Sequence, residues 1–162
     1  MKQGVSVLGF DTASRTGWAK IETTATQAHV EWSFVDIDSR DLIYKYTQYA
    51  KIFHSLINNK IQKVIIEETY FGRNLKVFQM LSRLGGIVFG IAVMQGVQEK
   101  QFISAIQARK YLGFKCNVKK EVVHAEFHER LKKVKVDDID AIDAIILALC
   151  GIFEEERIET LI

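Results

Sequence analysis

Hydrophobic positions along this chain change rhythm repeatedly, and each change marks an element. Residues 4–12 carry the apolar run Val5-Ser6-Val7-Leu8-Gly9-Phe10 up to Asp11, which is of strand length. Residues 18–22 form a second strand after the turn Ser14-Arg15-Thr16-Gly17. Beyond them the chain alternates, with Val30, Trp32, Phe34 and Asp36 set against Glu31, Ser33 and Val35, the pattern of a half-buried strand. Three antiparallel strands are therefore expected to open the fold. Residues 42–59 repeat apolar side chains at helical spacing (Leu42, Ile43, Tyr46, Tyr49, Phe53, Leu56), with Asp41 or Ser39 available as a cap. A buried strand over 63–69 follows, and then a helix over 74–95 with little polar surface after Arg83. Gly85, Gly86 and Gly90 lower the propensity of that helix, which is tolerable where something packs closely against it, so it belongs at the centre or at a subunit interface. A short strand over 101–104, a helix over 108–112, a basic helix over 119–132 and a last helix over 138–153 complete the pattern, an α/β fold with a mixed five-stranded sheet flanked by helices.

Length and composition narrow the classes. With 162 residues, 48% of them hydrophobic, the chain suits one domain over 1–162 and buries a core without disulfides or structural metal. Cys116 and Cys150 are too few for a disulfide framework, and no proline, repeat or low-complexity segment marks a boundary. The apolar stretches read as too interrupted to span a bilayer, and the N-terminus enters a strand rather than a signal-type run. The expectation is a cytoplasmic protein with no membrane partner. The net charge of +2 says little, but residues 101–133 hold eight basic side chains against three acids, a phosphate-facing composition, whereas residues 137–162 hold eight acids against Arg157 alone.

Four acids stand in settings that make a charge costly. Asp11 ends an apolar strand, Glu67 follows Val64-Ile65-Ile66, and Asp140 and Asp143 lie three apart on one face of the last helix. Capping accounts for Asp137 and Asp138, but not for Asp143, whose neighbours Ala141, Ile142, Ala144, Ile145 and Ile146 are apolar; unpaired there, a carboxylate costs several kcal/mol. Successive strand residues point to opposite faces, so only one of Glu67 and Glu68 can join Asp11, and Glu67 is the choice. Oxygen-rich sites select hard cations such as Mg²⁺ or Mn²⁺, and two such ions can activate water for phosphodiester hydrolysis.

These residues resemble the RuvC family of Holliday junction resolvases, within the ribonuclease H-like superfamily. The opening strand and turn are carried by Val7-Leu8-Gly9-Phe10-Asp11-Thr12-Ala13-Ser14-Arg15-Thr16-Gly17-Trp18, the second motif by Ile65-Ile66-Glu67-Glu68-Thr69-Tyr70-Phe71-Gly72-Arg73-Asn74, and the closing helix by Asp140-Ala141-Ile142-Asp143. Thr12-Ala13 stands where Pro-Gly is common, and the turn is one residue shorter, the mark of a divergent, phage-type member. The resemblance implies a cytoplasmic endonuclease of a bacterial cell or phage-infected host that cuts branched DNA, above all four-way junctions, as a homodimer. It places two Mg²⁺ (or Mn²⁺) ions on Asp11, Glu67, Asp140 and Asp143, and a junction-handling aromatic at Tyr70. Its basic residues near the scissile phosphate fall on Lys110 and Lys120, with Lys119 as a rival; the homodimer's interface is assigned to the helix over 74–95.

Other readings stay open beside it. Arg73 either holds phosphate or caps the following helix. His124 and His128 are four apart, but without acidic or thiolate partners in order they read as ordinary residues of a basic helix. No phosphate-cradling glycine loop is present, so no nucleotide cofactor is expected. A ribonuclease H-like nuclease of RNA or RNA–DNA hybrid would use the same acids, and a non-cleaving branched-DNA-binding module would not need all four. An actin-like or sugar-kinase relative would need a duplicated architecture for which the chain is too short.

Overall fold

A computed structural model of the chain describes residues 4–153; the acids Glu154, Glu155, Glu156 and Glu159 of the acidic C-terminal run lie outside the described residues. The order of elements is β1 (Ser6–Asp11), β2 (Thr16–Thr23), β3 (Ala28–Val35), α1 (Leu42–Leu56), β4 (Lys63–Glu67), α2 (Leu75–Met94), β5 (Glu99–Ile103), α3 (Ala105–Tyr111), α4 (Lys120–Arg130) and α5 (Ile139–Phe153). The five strands form one mixed sheet, ordered β3-β2-β1-β4-β5. The first three pair antiparallel, as the alternation requires, while β4 joins β1 and β5 joins β4 in parallel through the helical crossovers α1 and α2.

Strand parity divides the core. Val7, Ala19, Ile21 and Ile65 point to the face covered by α5, together with α3 and α4. Leu8, Phe10, Trp18, Val64 and Ile66 point to the opposite face, under Tyr49 and Phe53 of α1 and Leu84, Val88 and Ala92 of α2. The helix α5 lies very close to β1 and β2. A Cβ on Gly9 would collide with the backbone of Ala144 and Ala148, and one on Gly17 would stand 2.7 Å from the carbonyl oxygen of Asp140. Hydrogen rather than a methyl at these two positions brings the first turns of α5 down onto the carboxyl end of β1.

Local signals explain most boundaries. The side chain of Asp41, not that of Ser39, caps α1 by accepting from the backbone N–H groups of Ile43 and Tyr44, and Asn74 caps α2 in the same way. The turn after β1 is earlier and tighter than the sequence suggests. Ala13 N–H donates to the Asp11 carbonyl and the Thr16 hydroxyl to the Ala13 carbonyl, so β2 starts at Thr16 rather than Trp18. The third helix likewise starts at Ala105 rather than 108, because Ser104 and Gln107 cap its first turn reciprocally. Contrary to the expectation of interrupted runs, α2 is by length and composition apolar enough to cross a membrane; its inner side, Leu84, Gly85, Val88 and Ala92, is packed on the sheet.

Candidate active site

Asp11 ends β1 and Glu67 ends the neighbouring parallel strand β4, with Phe10 and Ile66 in register just before them. Parity carries Asp11 to the face of Val7 and Glu67 to the face of Ile65, the face that α5 covers. Asp140 and Asp143, one turn apart on α5, descend on the same spot through the contact at Gly17. Three of the four acids meet one cation. The Nζ of Lys120, the first residue of α4, lies 3.2 Å from Asp140 Oδ1, 3.3 Å from Asp143 Oδ2 and 3.7 Å from Asp11 Oδ2. Glu67 completes the group by hydrogen bonding to Asp11.

Crowding shows in the protonation of these groups. Burial pushes the Glu67 carboxyl up to about 10, and its hydrogen bond and charge repulsion with Asp11 push the same way, so at neutral pH Glu67 holds a proton and donates it to Asp11. Asp11 is itself raised, chiefly by burial, against the bond from Glu67 and the charge of Lys120. Burial opposes the Lys120 ammonium, but Asp11, Asp143 and Asp140 more than offset it and raise its pKa. Two arginines take the outward oxygens. Arg109 of α3, buried, donates to Asp143 Oδ1 from Nη2 at 2.7 Å and from Nε at 3.3 Å, and Arg15 donates to Asp140 Oδ2 at 2.9 Å.

A set of carboxylate oxygens on which negative charge is incompletely compensated, two of its members with raised proton affinity, has the donor chemistry of a hard divalent cation. In the arrangement described, the oxygens surround an ammonium at salt-bridge distance, longer than the about 2.1 Å of an Mg²⁺–oxygen bond. Among the described residues no three acidic, histidine or cysteine side chains close on a single ion position.

The family model of the crossover junction endodeoxyribonuclease RuvC matches residues 7–151, which hold all four acids and Lys120. The chain belongs to the RuvC family. It is therefore an endodeoxyribonuclease of crossover junctions, a hydrolase that binds DNA in recombination and repair, built on a ribonuclease H-like fold. Two solved structures are similar to it, Thermus thermophilus RuvC and the RuvC of the same organism in complex with a Holliday junction substrate. Each has a TM-score of 0.74 at 18% identity, covering 92% of this chain and 94% and 93% of theirs. At that identity the likeness is one of fold. Among curated proteins no sequence matches the chain.

The remaining residues singled out in this RuvC-family chain make none of the contacts just described. Tyr70 is 88% exposed in the loop beyond β4, and Arg73 is exposed next to Asn74, which alone is the cap of α2. Lys110 is exposed on α3, and Lys119 is exposed at the N-cap position of α4, without a capping bond from its side chain. His124 and His128 face each other, with ring nitrogens 3.2 Å apart. Sequence reasoning missed Arg15 and the placement of Arg109. For Arg109 a signal existed, since it follows Ala108 in a helix whose buried side also carries Leu112, so a charge there needs a partner. Asp138 does cap, its Oδ1 accepting from the backbone N–H of Asp140 at 2.9 Å, but it also pairs with Arg15 at 2.6 Å.

Proposed function

We propose that this enzyme resolves Holliday junctions, and cuts other branched DNA, by paired metal-dependent hydrolysis of phosphodiesters. Asp11, Glu67, Asp140 and Asp143 would hold two Mg²⁺ ions, with Mn²⁺ as a substitute. Bound there, the ions would supply an activated water and stabilise the leaving oxygen. The chain's own residues do the rest. Glu67 would give up its proton to water when the ions bind, and Lys120, tethered among the aspartates, would neutralise charge on the scissile phosphate. Lys110, Lys119 and Arg73, all exposed, hold the DNA backbone, and Tyr70, free of the core, stacks on an unpaired base for about 1–3 kcal/mol.

Resolution needs two symmetrical nicks, which a two-fold dimer provides. The outer side of α2 supports this. Leu75, Val77, Val93 and Met94 are exposed, and Gly86 and Gly90 face open space, each lowering helix propensity by about 1 kcal/mol with no compensating contact inside the chain. A second copy of α2 packed there would offset both.

The observation that carries the reading is the convergence of oxygens from β1 and α5 on one cation, with Glu67 of β4 hydrogen-bonded to the first of them. It is tested by incubating the protein with a four-way junction and with an RNA–DNA hybrid duplex, in Mg²⁺ and in chelator, beside Asp11→Asn. Metal-dependent, symmetrical nicking of the junction is expected, absent in the variant. Preferential cutting of the hybrid, or junction binding without cutting in any metal, would overturn it.

A further inference from the structure

Arg15 leaves the β1–β2 turn and spans to the start of α5. Its Nη1 donates to Asp138 Oδ1 at 3.0 Å and to Asp140 Oδ2 at 2.9 Å, and Nη2 lies 2.6 Å from Asp138 Oδ2. The guanidinium also lies flat on β3, with its Cζ 3.3 Å from the centroid of the Phe34 ring. A solitary surface pair holds its side chains loosely; here a two-pronged contact to Asp138 and an aromatic platform leave the guanidinium little freedom. Asp138 is fixed in turn by accepting from the Asp140 backbone. The result divides the Asp140 carboxylate: Oδ2 goes to Arg15, and Oδ1 turns inward to Lys120 at 3.2 Å. Asp143 shows the same division, with Oδ1 on Arg109 and Oδ2 toward Lys120.

We propose that Arg15 is a positioning residue of this endonuclease: held by Phe34 and Asp138, it captures Asp140 Oδ2, so that Asp140 offers Oδ1 alone to the catalytic cluster. This rests on the proposed role of Asp140 as a metal ligand. Unclamped, a partly exposed carboxylate on the first turn of a helix can turn either oxygen inward or swing toward solvent. Electrostatics acts the other way, since a guanidinium beside a metal ligand repels a divalent ion. Removing Arg15 therefore tightens metal binding if charge alone matters and weakens it if orientation matters.

Titration of the whole chain with Mn²⁺ in a calorimeter, without DNA, reads that sign. Arg15→Met is expected to bind Mn²⁺ about tenfold more weakly despite losing a positive charge. Phe34→Leu, which keeps every charge and alters a half-exposed position, should weaken binding roughly threefold in the same direction. Placed on Asp140→Asn, Arg15→Met should have no further effect, because its action passes through that carboxylate. Unchanged or tighter binding in Arg15→Met and Phe34→Leu, or an undiminished Arg15→Met effect on the Asp140→Asn background, would overturn the proposal. Were Asp140→Asn alone to bind Mn²⁺ like the parent, the ligand assignment would fall first, and this inference with it. Should Arg15→Met fail to fold, as circular dichroism would reveal, the sign of the change in Phe34→Leu decides alone.

Discussion

The helices α2 and α5 are both apolar along most of their length, yet the sheet treats them differently. From Ala141 to Ile152 every residue of α5 is buried, including Asp143. In α2 only Leu84, Gly85, Val88 and Ala92 are buried, and Met94 at its end is 86% exposed. The glycines explain the difference. Those of the α5 contact, Gly9 and Gly17, lie in the sheet where a side chain would strike the helix backbone, whereas Gly86 and Gly90 of α2 look into open space. One helix is pressed onto the sheet so closely that any polar group on it must find partners inside the molecule; the other leaves an apolar side exposed. A carboxylate in the first helix and a glycine in the second are each costly within the chain.

Substitution in α5 should therefore be doubly expensive. Asp143→Asn removes a proposed ligand, and it also leaves the Arg109 guanidinium, buried and bonded at 2.7 Å, without a charge to pair with. Junction cutting is expected to fall by more than the about 100-fold typical of losing a group behind the ligands, with junction binding retained, and urea denaturation should show a loss of about 2 kcal/mol or more. Turnover within tenfold of the parent would remove Asp143 from the chemistry.

In α2 the converse is expected. A Glu in place of Gly90 meets nothing within the chain, so the helical circular-dichroism signal should be preserved or enhanced. Across a two-fold axis, however, the new carboxylates of two copies would be brought together, at a cost of several kcal/mol. Light scattering should record a dimer for the parent and a monomer for Gly90→Glu, with symmetrical nicking lost while single nicks persist. A parent that is monomeric while still nicking both strands would show that the exposed side of α2 needs no second copy.

How much of this could be read from residues alone follows the same division. The carboxylates were legible because each interrupts an apolar pattern: Asp11 and Glu67 at strand ends, Asp143 inside a helix with no polar side. Period-two parity singled out Glu67 over Glu68, and the sheet registers agree with it. Arg15 was not legible, since its partners Asp138 and Asp140 are more than 120 residues away and become neighbours only through the close seat of α5. Arg109 and Lys110 are adjacent in sequence, and only the docking of α3 decides which of the two meets Asp143. The start of α3 was missed for a local reason, because Ser104 and Gln107 spell a reciprocal cap that the apolar spacing does not display.

The smallest expected effect sharpens the α5 side by separating stability from activity. Glu67 is raised to about 10 in the fold from an ordinary value of 4.5, first by burial and then by the bond and charge of Asp11. A folded-state pKa above the unfolded one means that the folded chain binds the extra proton. Its contribution to stability is fully present below about pH 4.5 and drains away as pH rises toward 10. Gln, which carries an N–H donor toward Asp11 and never ionises, escapes that loss. In chelator, Glu67→Gln should match the parent near pH 4.5 and be the more stable of the two at pH 8, a gain visible as a higher melting temperature, while junction cutting disappears. A variant no more stable than the parent at pH 8 would mean that Glu67 is not forced to hold a proton. The acids would then be less crowded than a divalent-cation site requires.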